Sequence, residues 1–271
     1  SRSRRQRRRS TQTATVATSR SAWRDVADEI DVRDFLTGGD VPDGNHDLAY
    51  AVQGAINAAC AGGPATSIRR YVVGEVVLPA GAIPLSVPVK VESVGGFKMR
   101  GRGTATKILP ASANMTCLID LNGTAHSQFS DFRLSGYGTN VVERAVWVRW
   151  NGVASNSTWN DLRNIDAMGL RYVKAFEIGD PANAGVDVSM VNMFSCNAYG
   201  QSKTDGTLWQ TGFYVGDGVG ANNLVHSAFG CRASTHKHNV RVANSQLGWW
   251  GGLVQGAEVD FYVGNTSYFV V

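Results

Sequence analysis

The chain has 271 residues, of which 43% are hydrophobic and 31 are glycine. A chain of this length can bury a hydrophobic core. The high glycine content and the scarcity of helical periodicity favour one elongated, turn-rich, all-β domain. No apolar run approaches the roughly 20 residues that a membrane-spanning helix needs, so the sequence predicts no membrane span.

The charge is unevenly distributed along the chain. Seven arginines and no acidic residue lie in the first 20 residues, which leaves 19 of the 26 basic residues for the rest, against 22 acidic ones. Residues 1–24 hold almost no large apolar side chain, which predicts an extended basic arm that becomes ordered only against another surface. An acidic protein surface, nucleic acid or membrane headgroups could receive it, but no aromatic residues alternate with the arginines for base stacking. We therefore expect a partner protein to contact Arg4, Arg5, Arg7, Arg8 and Arg9.

Residues 25–96 are predicted to form an N-terminal cap of strand, helix and first coil. The stretch 31–35 is typical of a short strand, and Asp47 is placed to cap a helix from Leu48 to about Cys60. One helix face is apolar because apolar residues recur at intervals of four, four and three, at Leu48, Val52, Ile56 and Ala59. Such a helix would close one end of a stack of coils.

Two short strand patterns alternate through the rest of the chain with a period near 28 residues. In the first, two apolar residues flank an outward one, and its copies are 119–121, 148–150, 176–178, 213–215, 240–242 and 261–263. The second recurs at 129–134, 159–163, 191–196 and 226–231. One period is too short to bury its own core, so the repeat predicts a parallel β-helix over residues 97–271. The 37-residue interval before residue 213 predicts a loop that leaves the stack around residues 201–206.

The cap carries an order of motifs that resembles a known family. The order is Val-Arg-Asp-Phe at 32–35, a loop rich in Gly and Asp at 38–47, Ala-Ile-Asn-Ala-Ala at 55–59 and Gly-Glu-Val-Val-Leu-Pro-Ala-Gly at 74–81. It is similar to the N-terminal cap of the pectate-lyase-like superfamily, which includes polygalacturonase relatives, bacterial surface β-helix proteins and phage tailspikes. The resemblance implies a right-handed β-helix and, for a virion protein, frequently a homotrimer. It implies no particular activity, because this fold hosts both enzymes and inert spikes.

The middle residue of the first pattern is expected to point outward. Stacking would then align one row of residues: Asp120, Arg149, Glu177, Tyr214, Arg241 and Tyr262. With coils about 4.8 Å apart, the alternating charges of Asp120, Arg149 and Glu177 predict a ladder of exposed ion pairs. Each exposed pair contributes under about 1 kcal/mol, so this row is expected to set register and solubility rather than to carry chemistry.

The second pattern offers the best catalytic candidates. If its copies stack in register, Asp131 lies on Asp161, and Arg133 lies on Arg163. Two carboxylates about 5 Å apart would repel, raise one pKa and supply an acid and a base, while the two arginines could hold an anionic sugar. The alternative is a structural square in which each aspartate pairs diagonally with an arginine.

Neighbouring indoles at Trp249 and Trp250 point to opposite faces of a strand, which predicts one core ring and one exposed ring. Both are ligand-binding candidates, since an exposed ring could stack on a sugar or pack against a sister subunit. His236 and His238, with His226 nearby, lack a third ligand, so neither a metal site nor a cofactor is predicted.

Four cysteines without a Cys-x-x-Cys motif do not form a disulfide framework. Cys196 and Cys231 hold equivalent places in neighbouring coils, close enough for a disulfide. An inward stack of free thiols is the favoured interpretation of this pair.

The sequence favours a virion structural protein, a β-helical phage tailspike or minor tail protein. We expect a homotrimer that contacts host surface polysaccharide, docks into the tail through its arm and is assembled in the host cytoplasm. The alternative is a polysaccharide lyase or glycoside hydrolase using Asp131 and Asp161, although the polygalacturonase phrases Asn-Thr-Asp, Gly-His-Gly and Arg-Ile-Lys are absent. Nucleic-acid binding through the arm is a third hypothesis.

Overall fold

The computed structural model describes residues 29–61, 70–72, 74–136, 140–150, 152, 157–180, 188–201, 210–216, 225–264 and 267–271. The predicted arm with its five candidate arginines lies outside the described residues, as does the predicted loop at 201–206 apart from its first residue. In the described part of the chain, no helix combines the length and the hydropathy needed to cross a membrane.

The strands stack in parallel into a right-handed β-helix, which confirms the fold predicted from the repeat. All strand pairings among the described residues are parallel. One wall, here called sheet one, consists of seven strands: β5 (Val89–Glu92), β9 (Met115–Asn122), β11 (Val141–Arg149), β13 (Arg171–Ile178), β16 (Thr211–Gly216), β19 (His238–Ala243) and β22 (Val259–Val263).

A second, longer sheet forms the remaining walls. Its main path, sheet two, consists of β1 (Glu29–Asp31), β3 (Glu75–Val77), β7 (Lys98–Arg100), β10 (Gln128–Leu134), β12 (Ser157–Ala167), β14 (Val188–Phe194), β17 (His226–Phe229), β20 (Gln246–Trp250) and β23 (Tyr268–Val270). A side branch, the third wall, consists of β4 (Gly81–Leu85), β8 (Thr106–Pro110), β15 (Asn197–Tyr199), β18 (Arg232–Ser234) and β21 (Leu253–Gln255). The short strands β2 (Arg70–Tyr71) and β6 (Val94–Gly95) pair with each other.

A column of left-handed residues makes the corner between sheet two and the third wall. It consists of Asp131, Asn164, Ser195, Gly230 and Gly251, whose φ values lie between 51° and 64°. Left-handed backbone favours Gly, Asn and Asp, which explains why such residues recur at this point of the second pattern. Side chains also bridge this corner, because Asn164 Nδ2 donates to Asp131 Oδ1 at 2.9 Å.

Apolar side chains from every wall fill the space between the sheets. In sheet one, Phe176, Phe213, Val240 and Phe261 follow one another in register, and the rings of Phe176 and Phe213 stack at 4.9 Å. A fully buried apolar side chain of this size contributes about 1.5–3 kcal/mol. Cys196 and Cys231 are buried, free thiols in the same core, which confirms the favoured interpretation of this pair.

A helix closes the N-terminal end of the stack, as predicted. Helix α1 (Ala49–Ala61) begins where Asp47 Oδ1 accepts from the backbone N–H of Ala49 at 3.1 Å. Its apolar stripe is buried against the first coil. The Gln53 amide group bonds to both the N–H and the C=O of Lys90, so it saturates the edge of β5 and blocks pairing there.

The predicted strand at 31–35 is wrong beyond its first residue. The strand is Glu29–Asp31, and Val32–Phe35 forms a 3-10 helix. The Asp31 carboxylate accepts from the backbone N–H of Arg33 at 2.9 Å, which turns the chain out of the strand. The boundary predicted between cap and coils stays a prediction; strands pair across it, as β3 does with β7 and β5 with β9.

A chain of hydrogen bonds links the buried side chains of Tyr172, His236 and Asn239 to the exposed Asp260. Asn239 Nδ2 donates to Asp260 Oδ1 at 2.7 Å. The Oδ1 of Asn239 therefore faces the Nδ1 of His236, at 2.8 Å, and accepts a hydrogen bond from it. The other ring nitrogen of His236 then accepts from the Tyr172 hydroxyl at 2.7 Å. Burial lowers the pKa of His236 to about 4, and that of His226, whose Nδ1 accepts from Val191 N–H, to about 3.

These two histidines predict a loss of stability in mild acid. Both are neutral in the folded protein, whereas an unfolded histidine titrates near 6.5, so the folded state is fully favoured above that pH and loses stability below it. At pH 5, each of the two histidines should lower the free energy of unfolding by about 2 kcal/mol relative to its value at neutral pH. Chemical unfolding between pH 7.5 and 4.5 should show this slope. His236→Gln should reduce the slope, and equal slopes in the parent and in His236→Gln would contradict this account.

Candidate functional site

The predicted stack of two catalytic carboxylates does not form. Asp161 pairs in register with Gln128, and Asp131 lies level with Asn164. The prediction aligned the two Asp-x-Arg sequences, which shifts the coils by three residues from the register that the left-handed corner imposes. The Asp161 carboxylate instead accepts from Arg163 Nη2 at 2.6 Å and from Asn192 Nδ2 at 3.1 Å. A catalytic role for the two aspartates stays a prediction, but one without the carboxylate pair that motivated it.

The two arginines of that predicted square also lie apart. Arg133 is in register with Asp166, beyond the corner, and forms an ion pair with it at 3.7 Å. Arg163 lies on the outer face of sheet two. The stacking of Arg133 on Arg163 is therefore wrong, for the same reason of register.

A stack of three aromatic rings, two of them exposed, runs along the outer face of sheet two. We call Phe194, Phe229 and Trp250 the ring ladder; they are in register on β14, β17 and β20. Their centroids are 5.2 Å and 4.8 Å apart, and Arg163 Cζ lies 4.5 Å from the centre of the Phe194 ring. Phe229 is 38% exposed and Trp250 43% exposed. Such a row of apolar rings in contact with solvent is unusual unless something binds it.

The indole pair behaves as the alternation of a strand predicts. Trp249 is buried in the core against Phe213, whereas Trp250 is on the ladder, which confirms the expectation of one core ring and one exposed ring. Gly248 makes room for the exposed ring, since a Cβ there would lie 2.0 Å from Trp250 Cη2. Of the four predicted ligand-binding residues, the structure therefore brings Arg163 and Trp250 to one face.

The ladder presents two kinds of surface. Because the rings stack within 13° of parallel, they turn their edges to solvent along most of its length. Trp250 ends the stack in the described part of the chain, beside a cavity of about 140 Å³. That cavity is lined by Val225, His226, Gln246, Leu247, Gly248 and Val270.

Polar side chains flank the ladder on both sides. Asp161, Asn192 and Ser227 form an in-register row two residues before it. Beyond the corner, Asn197 donates to Asp166 Oδ1 at 2.6 Å, and Arg232 is next in that row. An aromatic strip between rows of amides, carboxylates and a guanidinium resembles the mixture of surfaces that sugars require, an apolar face with hydroxyl partners at its rim.

The outer face of sheet one carries the other predicted row, with one member changed. The residues in register are Lys90, Asp120, Trp147, Glu177, Tyr214, Arg241 and Tyr262, which we call the charged row. Trp147 takes the place predicted for Arg149, because Val146-Trp147-Val148 has the same apolar flanks as the stretch two residues later. Arg149 nevertheless reaches Asp120 with bonds of 2.8 and 2.9 Å, so that predicted ion pair is confirmed.

The charged row is less exposed than the pattern predicted. Asp120 is only 3% exposed, and Glu177 is completely buried. Long side chains cover the row, since the guanidinium carbons of Arg144 and Arg149 lie 4.0 and 4.2 Å from the centre of the Trp147 ring. Glu177 pairs with Arg144 and, at 2.6 Å, with Lys174, rather than with Arg149 as predicted.

The three histidines considered for a metal have separate environments. His226 and His236 are bound within the core, and His238 lies on the outer face against Tyr262. Within the described ranges, no group of three or more His, Cys, Asp or Glu side chains is placed to hold a metal ion.

Comparison with known proteins supports the fold and leaves the family open. No family model matches the chain, and no curated protein matches it. Among solved structures, ORF18 of Geobacillus virus E2 matches with a TM-score of 0.50 and 14% identity over 82% of this chain and 48% of its own, so the chain spans about half the length of that phage protein. The A-module of the Azotobacter vinelandii mannuronan C-5 epimerase AlgE6 matches at a TM-score of 0.37 and 18% identity, over 89% of this chain and 79% of its own. At 14% identity, the likeness to the phage protein shows a shared fold only.

The buried carboxylate of Glu177 should matter for stability. Glu177→Gln leaves Lys174 without a charge partner and Arg144 with only the exposed carboxylate of Glu143, where little water can reach the two cations, and should lower the free energy of unfolding by about 3 kcal/mol. Glu143→Gln is a matched control, since Glu143 binds the same Arg144 at 2.8 Å but has a side chain that is 48% exposed. Its loss should be under about 1 kcal/mol in the same urea titration. Equal losses of unfolding free energy in the two variants would show that burial does not determine how much an ion pair to Arg144 contributes to stability.

Proposed function

We propose that this chain is a virion structural protein, a tailspike or minor tail protein of the pectate-lyase-like type, that binds host-envelope polysaccharide through the ring ladder. The observation that carries the proposal is the in-register stack of Phe194, Phe229 and Trp250 between two polar rows, in which Phe229 and Trp250 are exposed. The shared fold with a Geobacillus virus protein is consistent with a phage origin.

The geometry suits an extended polymer better than a small molecule. Neighbouring coils are about 4.8 Å apart, so equivalent groups recur along the axis at a spacing comparable to the length of one sugar ring. A chain lying along the ladder could place its C–H groups on the ring edges and on the open face of Trp250. Its hydroxyl groups would bond to Asp161, Asn192 and Ser227, whose side chains lie on the same face.

The chemistry of the face favours binding over cleavage. The lyase or glycosidase alternative depended on adjacent carboxylates, and those of Asp131 and Asp161 are separated by register and engaged by Asn164, Arg163 and Asn192. Homotrimer assembly, docking to other tail proteins through Arg4, Arg5, Arg7, Arg8 and Arg9, and a location in the virion tail after assembly in the host cytoplasm complete the proposal.

The proposal predicts that ladder substitutions abolish glycan binding without unfolding the protein. Immobilised bacterial capsular and O-chain polysaccharides should retain the parent protein in at least one case. Phe229→Ala with Trp250→Ala should weaken that binding more than tenfold, because both the apolar surface and the end face are lost. Trp159→Ala is the matched control, since Trp159 is a 51% exposed ring that stacks on His126 away from the ladder.

Two outcomes would contradict the proposal. Retention of every polysaccharide by the double variant would remove the ladder from the binding site, and no retention by the parent would remove the function. Shortening of the polysaccharide by the parent, lost in Asp131→Asn with Asp161→Asn, would favour the enzyme alternative instead.

A further inference from the structure

Arg241 lacks the carboxylate partner that four other arginines near the two outer faces have. Arg144 and Arg149 in sheet one, and Arg133 and Arg163 beyond it, all form ion pairs with a carboxylate. No acidic side chain in the described part of the chain lies within ion-pairing distance of Arg241. Its Nε is buried without a hydrogen-bond partner, as are the Nε atoms of Arg133 and Arg163, so the missing carboxylate is what distinguishes it from those two. A guanidinium without a charged partner can pair with a carboxylate that a ligand supplies.

Two tyrosines flank this guanidinium. Tyr214 and Tyr262 precede and follow Arg241 in register, and their ring centres lie 5.5 and 5.2 Å from its Cζ. Rings on the neighbouring coils attract the cation and restrict its movement, and the guanidinium carries a planar fork of N–H donors. A carboxylate is planar and accepts two parallel N–H bonds in this geometry.

The surroundings of Arg241 favour an anion. Lys174 Nζ lies 4.3 Å from the centre of the Tyr214 ring, and His238 meets the Tyr262 ring edge-on at 5.6 Å. Burial first, and then the positive charges of Arg241 and Lys237, lower the pKa of His238, and the Glu258 carboxylate opposes this with a smaller effect. The nearest carboxylate of the charged row, Glu177, is already engaged by Arg144 and Lys174.

We propose that Arg241, clamped between Tyr214 and Tyr262 on the outer face of sheet one, binds the carboxylate of an acidic sugar. Tyr262 is 42% exposed and supplies a ring wall for the sugar itself, which a free inorganic anion would not use. An acidic side chain of a protein is the other possible source of a carboxylate, but it gains nothing from that wall. This site lies on a different sheet from the ring ladder and does not depend on polysaccharide binding there.

The test uses the whole chain and two forms of one probe. An oligosaccharide of glucuronic acid and its methyl ester differ only in charge, and calorimetric titration at low salt should give at least tenfold tighter binding of the acid. Arg241→Gln should remove that preference, and Arg241→Lys should restore only part of it, because lysine lacks the planar fork. Arg171→Gln, at an exposed arginine of the same sheet, is the matched control and should bind as the parent does.

Each contrary result is distinct. Equal binding of acid and ester by the parent, or an unchanged preference in Arg241→Gln, overturns the proposal. Equal binding of inorganic sulfate and the oligosaccharide would show an unspecific anion site and also overturn it. Dissociation of a native oligomer by Arg241→Gln, with sugar binding intact, would assign the carboxylate to a second copy. The ladder variant Phe229→Ala with Trp250→Ala should keep the acid preference, so failure of either site leaves the other testable.

Discussion

Every coil of this protein depends on hydrogen bonds to the coils before and after it, because a period near 28 residues cannot bury a core by itself. Parallel pairing has a second consequence, which is that equivalent positions of successive coils fall into columns. One column gives the stacked phenylalanines of the core, another the left-handed corner, and others the charged row and the ring ladder. Register between coils therefore decides which side chains meet, both inside the protein and on its surface.

The two outer faces use that register differently. On sheet one, charges of opposite sign are brought together and covered by long side chains, so Glu177 is buried although its strand position faces outward. On sheet two, aromatic rings are brought together and remain half exposed. In the described part of the chain, the first arrangement pairs its buried carboxylates with basic side chains but leaves Arg241 without a carboxylate, whereas the second leaves an apolar strip in contact with water. These unsatisfied places are where a ligand would add most.

Much of the fold could be predicted from the sequence. Apolar-x-apolar repeats fix the core positions from residue 176 onward, and the interval pattern of α1 fixes its buried face. Strand alternation separates Trp249 from Trp250 without any knowledge of the structure. These features depend on local periodicity, which a sequence displays directly.

Register was the part that local patterns could not determine. Residues 146–148 and 148–150 have equally apolar flanking residues, so the sequence does not show which of the two stretches is in register with Asp120. The matching Asp-x-Arg sequences predicted a register that ignores the left-handed corner, and that corner is visible only in the backbone angles. The burial of Glu177 depends on Arg144 and Lys174, which lie outside its own repeat pattern. The ring ladder was missed because Phe194, Phe229 and Trp250 belong to two different sequence stretches; a search for aromatic residues immediately before Gly or Ser would have found it.

The register at the corner can be measured by cross-linking. Gln128→Cys with Asp161→Cys places two thiols on paired strands, within the 4.4–6.8 Å that Cα atoms of a disulfide span. Asp131→Cys with Asp161→Cys places them three residues out of register. The structure predicts rapid oxidation to an intramolecular disulfide in the first variant and none in the second. The reverse result would contradict the register on which the corner, the ring ladder and the separation of the two aspartates all depend.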